Sequence, residues 1–236
     1  MRAVILNSGL GSRMGEMTRN APKCFAKLKD GKTILERQIL QLAGEGISDF
    51  LITTGPFPGM IQAFVEERFP ELRVTYVENA LYSQTNYIYS LYLAREWLDT
   101  DLLLIHGDLV FEDRVLRDVL ASPQSCMACD STLPLPEKDF KAVVVQERIK
   151  KVGVGFFESA LAAQPLYKLL LKDWRIWLES IVRYCESGNT KVYAENAFNE
   201  VSSECALYPL DVLGGLCGEV DTLEDLQSIN SRIWIM

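Results

Sequence analysis

Arg2-Ala-Val-Ile-Leu-Asn-Ser-Gly-Leu-Gly-Ser-Arg-Met-Gly15 decides how this chain is read. Residues 2–6 are almost wholly apolar, which fits a strand buried on both faces. From Asn7 onward the periodicity stops, and glycines, hydroxyls and a guanidinium take its place. Ligands of open α/β sheets sit beyond the carboxyl ends of the strands, so this loop falls where chemistry is expected. Gly9 and Gly11 let backbone N–H groups approach an anion, Ser8 and Ser12 add hydroxyls, and Arg13 and Lys23 add positive charge. Pro22 stiffens the chain just ahead of Lys23. Phosphate is the ligand class this composition suits.

Outward from the loop, strand and helix patterns alternate. Residues 33–43 place Ile34, Leu35, Ile39, Leu40 and Leu42 at helical spacing; residues 49–53 read as a strand, 59–69 as a helix and 73–77 as a strand. A helix over 86–97, a strand over 101–105 and a helix over 112–120 follow, the last ended by Ser122 and Pro123. This order implies an α/β fold with a Rossmann-like mixed, mostly parallel sheet flanked by helices. Beyond Ser125 the alternation lapses. Two prolines interrupt residues 133–137, strands are expected at 141–146 and 151–157, and residues 164–186 read as one long helix. Strands near 191–194 and 206–210 and a final helix over 222–233 complete the pattern. One domain over 1–236 is expected, with an irregular region at about 131–205.

Apolar residues make up 48% of the chain and charged residues 24%, which suits a folded protein in water rather than a disordered or membrane-embedded one. A net charge of −8 argues against nucleic acid or an anionic membrane as partner. Residues 1–6 are too short for a signal-peptide core or a span, so the cytoplasm is the expected location. The six cysteines are scattered apart from Cys126 and Cys129, and His106 is the single histidine. Reduced thiols fit this better than zinc, which needs more ligands.

Of two other phosphate-binding loops, the dinucleotide fingerprint fits poorly and the P-loop is excluded by spacing. A dinucleotide fingerprint would enter its helix at once and meet an acidic residue at the end of the second strand, but that strand ends in Thr53-Thr-Gly55. A P-loop needs Gly-Lys-Ser/Thr at a spacing absent after Gly9. As a set, Gly9-Leu-Gly-Ser-Arg13 with Thr18 and Pro22-Lys23 resembles the signature of the sugar-phosphate and choline-phosphate nucleotidyltransferases. Tyr89-Ser-Leu-Tyr-Leu-Ala94, His106-Gly-Asp108 and Glu219-Val-Asp-Thr-Leu-Glu-Asp225 extend the resemblance towards the phosphocholine and 2-aminoethylphosphonate cytidylyltransferases. Asn7-Ser8 departs from the pattern, since many members carry two alanines there, without touching a charged role.

The resemblance implies a fold of the nucleotide-diphospho-sugar transferase type, CTP as donor, Mg2+ as cofactor and a small aminated phosphonate or phosphate as acceptor. In-line attack on the α-phosphorus would expel pyrophosphate. It also implies roles for residues. Arg13 and Lys23 are the catalytic cations, and Ser8, Gly9, Gly11 and Ser12 cradle the triphosphate. Gly55, Gln84, Thr85, Asn86 and Ser90 lie where the family holds base and ribose, although Thr85 or Asn86 would serve equally as a helix cap and Gly55 as a plain turn glycine. Asp108 and Asp221 match the metal-binding aspartates, and two carboxylates with triphosphate oxygens suit octahedral magnesium. From the residues alone, a turn residue is the favoured reading of Asp108 and a helix N-cap that of Asp221, with Glu224 at capping-box spacing; the resemblance reverses that preference. An acceptor already anionic near neutral pH needs no general base, so His106 is given no catalytic role.

In the irregular region Lys138-Asp-Phe-Lys141 and Tyr193-Ala-Glu195 stand out. Lys138 and Lys141 could hold the acceptor's anionic end, Phe140 and Tyr193 its cationic head, and Asp139 and Glu195 a primary ammonium. Relatives that bind phosphocholine place a tryptophan near the first segment; this sequence does not, which favours 2-aminoethylphosphonate. Surface charge is the competing reading of Lys138 and Glu195, and core packing that of Trp174 and Trp177. Two alternatives stand beside the cytidylyltransferase: a hexose-1-phosphate uridylyl- or thymidylyltransferase and a non-catalytic nucleotide-binding protein. The irregular region also offers a surface for a homodimer.

Overall fold

In the computed structural model, which describes residues 1–233, the first half of the chain alternates as the sequence predicts. The order is β1 (Arg2–Asn7), α1 (Ile34–Gly44), β2 (Asp49–Thr54), α2 (Pro58–Arg68), β3 (Arg73–Glu78), α3 (Tyr87–Ala94) and β4 (Leu102–His106). Thr33 caps α1, accepting from Glu36 N–H at 3.1 Å, and Asn86 caps α3, accepting from Tyr87 N–H at 2.7 Å. The second half comprises β5 (Leu109–Phe111), α4 (Asp113–Ala121), β6 (Cys126–Asp130), β7 (Lys141–Val145), β8 (Arg148–Gly153) and β9 (Ala160–Leu169). After them come α5 (Leu171–Glu186), α6 (Ala194–Val201), β10 (Tyr208–Asp211), β11 (Cys217–Glu219) and α7 (Leu223–Arg232).

The main sheet runs β10-β6-β9-β4-β1-β2-β3, with β7 on β9 and β8 on β7. β1, β2, β3 and β4 are mutually parallel, while β9 runs antiparallel to β4 and β6. Side chains alternate across this sheet, so its central strands feed two cores. Val4, Leu51, Leu102 and Leu104 pack under α3, α5 and α6 through Leu91, Trp174, Trp177 and Phe198. Ala3, Ile5, Phe50 and Leu103 pack under α1, α2 and α4 through Leu35, Ile39, Val65 and Val119. Trp174 and Trp177 are wholly buried and stack edge-on with centroids 5.5 Å apart, so the core reading of that pair is correct. All six cysteines are buried and unbridged. Among the described residues, no helix is long and apolar enough to cross a membrane.

Four expectations are corrected. Residues 164–169 belong to a central strand, not to a helix. Pro165 cannot donate to a ladder, and the register shift of β6 between Met127 and Cys129 falls opposite it, so the proline sits in an irregularity of the sheet. The strand expected near 191–194 is absent; Tyr193 instead sits at the N-cap position of α6, its N–H donating to Asn196 Oδ1 at 3.1 Å. β8 starts at Arg148 because Gln146 and Glu147 both take positive φ (49° and 61°), closing a two-residue hairpin without the usual Asn-Gly. Finally, Thr222 rather than Asp221 caps α7, with Asp225 as its reciprocal partner.

Two short strands also escaped the pattern. β5 and β11 pair antiparallel, Leu109 opposite Glu219, and Val220 N–H donates to the Asp108 carbonyl at 2.9 Å. That pairing brings residues 106–108 and 219–221 together although 113 positions separate His106 from Glu219.

Candidate active site

The parallel strands leave a crevice beyond their carboxyl ends where the strand order reverses, between β1 and β4. The loop after β1 crosses it. Gly11 takes φ +63°, and a Cβ there would stand 2.9 Å from Lys23 Cβ, so the glycine lets the two ends of the loop close on each other. The Thr18 hydroxyl donates to the Gly11 carbonyl at 2.9 Å and helps fix that closure. Gly9, Gly11, Ser12, Arg13 and Lys23 line a cavity of about 260 Å³ with Asp108 and Asp221 on its far wall.

Lys23 Nζ sits between the two carboxylates, 2.6 Å from Asp108 Oδ2 and 2.5 Å from Asp221 Oδ1. Arg13 reaches the other oxygen of Asp221 at 2.8 Å. Burial by itself would raise the Asp108 carboxyl, but the Lys23 ammonium and the His106 ring outweigh it and hold it below the usual value. Burial would likewise lower the Lys23 ammonium, yet Asp108 and Asp221 keep it above its ordinary value. Since Thr222 and Asp225 take over the helix cap, the Asp221 side chain is free to face this cluster.

His106 and Glu219, to which the sequence assigned no role, complete the floor. His106 Nδ1 lies 3.0 Å from Glu219 Oε1, and one ligand atom each of His106, Asp108 and Glu219 fall within 4.8 Å of one another. Burial and then the charge of Asp108 push the Glu219 carboxyl up to about 7. The same pairing raises His106 against the effect of its burial. Glu219 stood in one of the quoted motifs, but nothing in its local pattern separated it from a surface strand residue.

Two further cavities open from Asp108. On one side Ser8, Asn79, Tyr82, Thr85, Asn86 and Tyr87 enclose about 160 Å³. Thr85 and Asn86 therefore reach a cavity as well as shaping the turn. Gln84 is exposed and outside this lining. Ser90 is fully buried behind it, bonded to Ser8 and Asn79. Gly55 has a packing reason: a Cβ there would lie 2.4 Å from the Ser8 carbonyl, so only glycine lets the end of β2 touch the loop.

On the other side a cavity of about 390 Å³ is walled by Tyr87, Phe140 and Tyr193 and by Lys138, Asp139 and Glu219. Phe140 and Tyr193 meet edge-on with centroids 5.0 Å apart, and Tyr87 lies 6.0 Å from Tyr193. Burial, then the charges of Asp221 and Asp225, raise the Asp139 carboxyl. Two residues expected on this wall stand elsewhere. Lys141 is wholly buried, and its ammonium donates to the carbonyls of Pro136 and Asp139, holding the turn before β7. Glu195 lies beneath the wall, accepting from the Tyr87 and Tyr167 hydroxyls. Both are long polar residues whose spacing could not reveal that the chain folds over them.

The sequence profile of the MobA-like NTP transferase domain family matches residues 3–167, well over half of the chain. CMP-5'-(3-aminopropyl)phosphonate synthase of Streptomyces rubellomurinus is 36% identical over 125 residues, covering 53% of this chain and 20% of its own, so this chain spans about a fifth of that relative. Choline-phosphate cytidylyltransferase of Streptococcus pneumoniae is 26% identical over 241 residues, covering 97% of this chain and 96% of that one. The solved structure of the CTP:phosphocholine cytidylyltransferase from Streptococcus pneumoniae aligns with a TM-score of 0.75 at 20% identity over 98% of each chain, a likeness of fold.

Proposed function

The chain belongs to the MobA-like NTP transferase domain family, and from that premise we propose that it is a cytidylyltransferase. It would move CMP from CTP to an amino-alcohol phosphonate or phosphate, with 2-aminoethylphosphonate favoured over phosphocholine. The observation that carries this reading is the meeting of three cavities at Asp108: one lined by loop glycines and cations, one by amide and hydroxyl groups, and one by aromatic rings and carboxylates. Triphosphate, nucleoside and aminated acceptor each find matching chemistry there.

The aromatic faces of Tyr87, Phe140 and Tyr193 suit a cationic head group. Asp139 and Glu219 add acceptors that a primary ammonium can use and a quaternary one cannot. Lys138, on the same wall, suits the acceptor's anionic end. An oxygen of that end attacks the α-phosphorus as the bond to the β-phosphate oxygen breaks, and the electron pair leaves on pyrophosphate. The attacking oxygen is already anionic, so no residue has to remove a proton. Lys23 and Arg13 would hold the triphosphate in line and oppose the charge that grows on the leaving group.

Asp108 and Asp221 fit a magnesium ion, because two hard oxygen donors already converge on one cation, the Lys23 ammonium. When bound, the ion would neutralise triphosphate charge and polarise the α-phosphate. The test is purified protein with MgCl2, each NTP in turn, and 2-aminoethylphosphonate, phosphocholine, phosphoethanolamine or a hexose 1-phosphate, with pyrophosphate measured. Release with CTP and an aminated acceptor is expected. Release only with UTP or dTTP and a hexose 1-phosphate would overturn the reading, as would release with none of them.

A further inference from the structure

Along the wall of the nucleoside-side cavity and behind it, a series of side-chain hydrogen bonds joins four elements. Asn79, just past β3, is 1% exposed, and its amide nitrogen donates to Thr85 Oγ1 at 3.0 Å and to Ser90 Oγ at 3.1 Å. Its amide oxygen accepts from Leu81 N–H at 3.0 Å. Ser90, on α3, donates in turn to Ser8 Oγ at 3.0 Å, and Ser8 donates to Thr53 Oγ1, on β2, at 2.9 Å. Ser90 and Ser8 each accept one bond and donate the next. The series therefore has one direction, and removing a member strands a buried polar group. It starts in the segment that lines the nucleoside-side cavity, passes through Ser8 at the start of the phosphate loop and ends at Thr53 on β2.

We propose that Asn79 and Ser90 are positioning residues for the nucleotide: acting through Ser8, they fix segment 79–86 against the phosphate loop and set the span between the two halves of the nucleotide site. The inference rests on the nucleotidyltransferase reading above. On that reading CTP would bridge both segments, whereas cytidine would touch one and pyrophosphate the other. A preset span adds affinity only to the ligand that bridges it. A merely structural role would weaken all three ligands alike.

The experiment is calorimetric titration of CTP, cytidine and pyrophosphate into wild-type protein, Thr53→Val, Ser90→Ala and the double variant, all in MgCl2, with thermal midpoints recorded; Thr53 and Ser90 are buried and line neither nucleotide cavity. Each single substitution should weaken CTP by about tenfold, as expected for one buried hydrogen bond left unmade. Cytidine and pyrophosphate should change by less than about twofold, and the double variant should lie within about twofold of the weaker single, because both break one series. In turnover, KM for CTP should rise by a larger factor than kcat falls. Cytidine or pyrophosphate weakened as much as CTP would overturn the proposal, and so would effects that multiply in the double variant. CTP binding untouched by either substitution would overturn the positioning role alone. Failure of the wild-type protein to bind CTP would overturn the underlying reading and the proposal with it.

Discussion

Replacing Lys23 with methionine tests the central geometry directly. The Lys23 ammonium makes contacts of 2.6 and 2.5 Å to Asp108 and Asp221, and the three side chains are only 12%, 21% and 18% exposed. Removing one partner of such a buried cluster costs about 3–5 kcal/mol, and Arg13, which stays on Asp221, places the loss near the lower end. The two carboxylates would then face each other without a cation between them. If they form a metal site, Mn2+ or Mg2+ should restore what the ammonium supplied. At a free metal concentration a hundred times its Kd, mass action returns about 2.7 kcal/mol. For a chain of this size that corresponds to roughly 5–11 °C in thermal midpoint. In the wild-type protein without nucleotide, metal must compete with the ammonium and the shift should be much smaller. Thermal unfolding by circular dichroism, in EDTA and in MnCl2, of wild type, Lys23→Met and Lys23→Met/Asp108→Asn gives the answer. Equal metal shifts in wild type and Lys23→Met would refute the competition, and a shift that survives Asp108→Asn would refute the metal assignment.

Three further outcomes follow from the site. Glu219 is held at about 7 against its usual 4.5, so the folded chain binds this proton more tightly than the unfolded chain. Stability from that difference is present at acid pH and is lost as pH rises through about 7; His106, also raised, acts in the same sense. Glu219→Gln in EDTA should therefore gain on wild type between pH 5 and 8, by at most roughly 3 kcal/mol in denaturant titrations, and an unchanged difference across that range would exclude a carboxyl raised by burial and the charge of Asp108. Lys141→Met should lower stability by about 1–3 kcal/mol with little change in acceptor KM, whereas Lys138→Ala should raise that KM with no loss of stability; the reverse pattern would return Lys141 to the acceptor wall. Gly55→Ala forces a Cβ towards the Ser8 carbonyl, so it should cost about 1–3 kcal/mol and raise KM for CTP, and a neutral effect on both would mean the loop yields freely.

Legibility differed by region. β1, β2 and β4 could be read because each is a short, nearly continuous apolar run, and α1 because it carries one apolar stripe, so both signals show over short windows. β9 could not. Its residues are buried by β4 and β6 from distant parts of the chain, and Pro165 argued locally against a sheet. β5 and β11, three residues each, are too short for any period to show, yet their pairing is what sets Asp108 beside Asp221.

By itself, then, the sequence determined the α/β order, the glycine and cation content of the loop after β1, and the residue types that suit phosphate and a hard cation. Those are local properties, written in side-chain period and in the φ that Gly11 alone permits cheaply. Tertiary structure decided which charges share a site. It put Lys23 between two aspartates 113 residues apart, hid Lys141 and Glu195 under the acceptor wall, and joined Asn79 to Ser8 through Ser90. Such choices depend on distances across the fold, and the strength of a charge or hydrogen bond depends on the burial that only the folded chain provides.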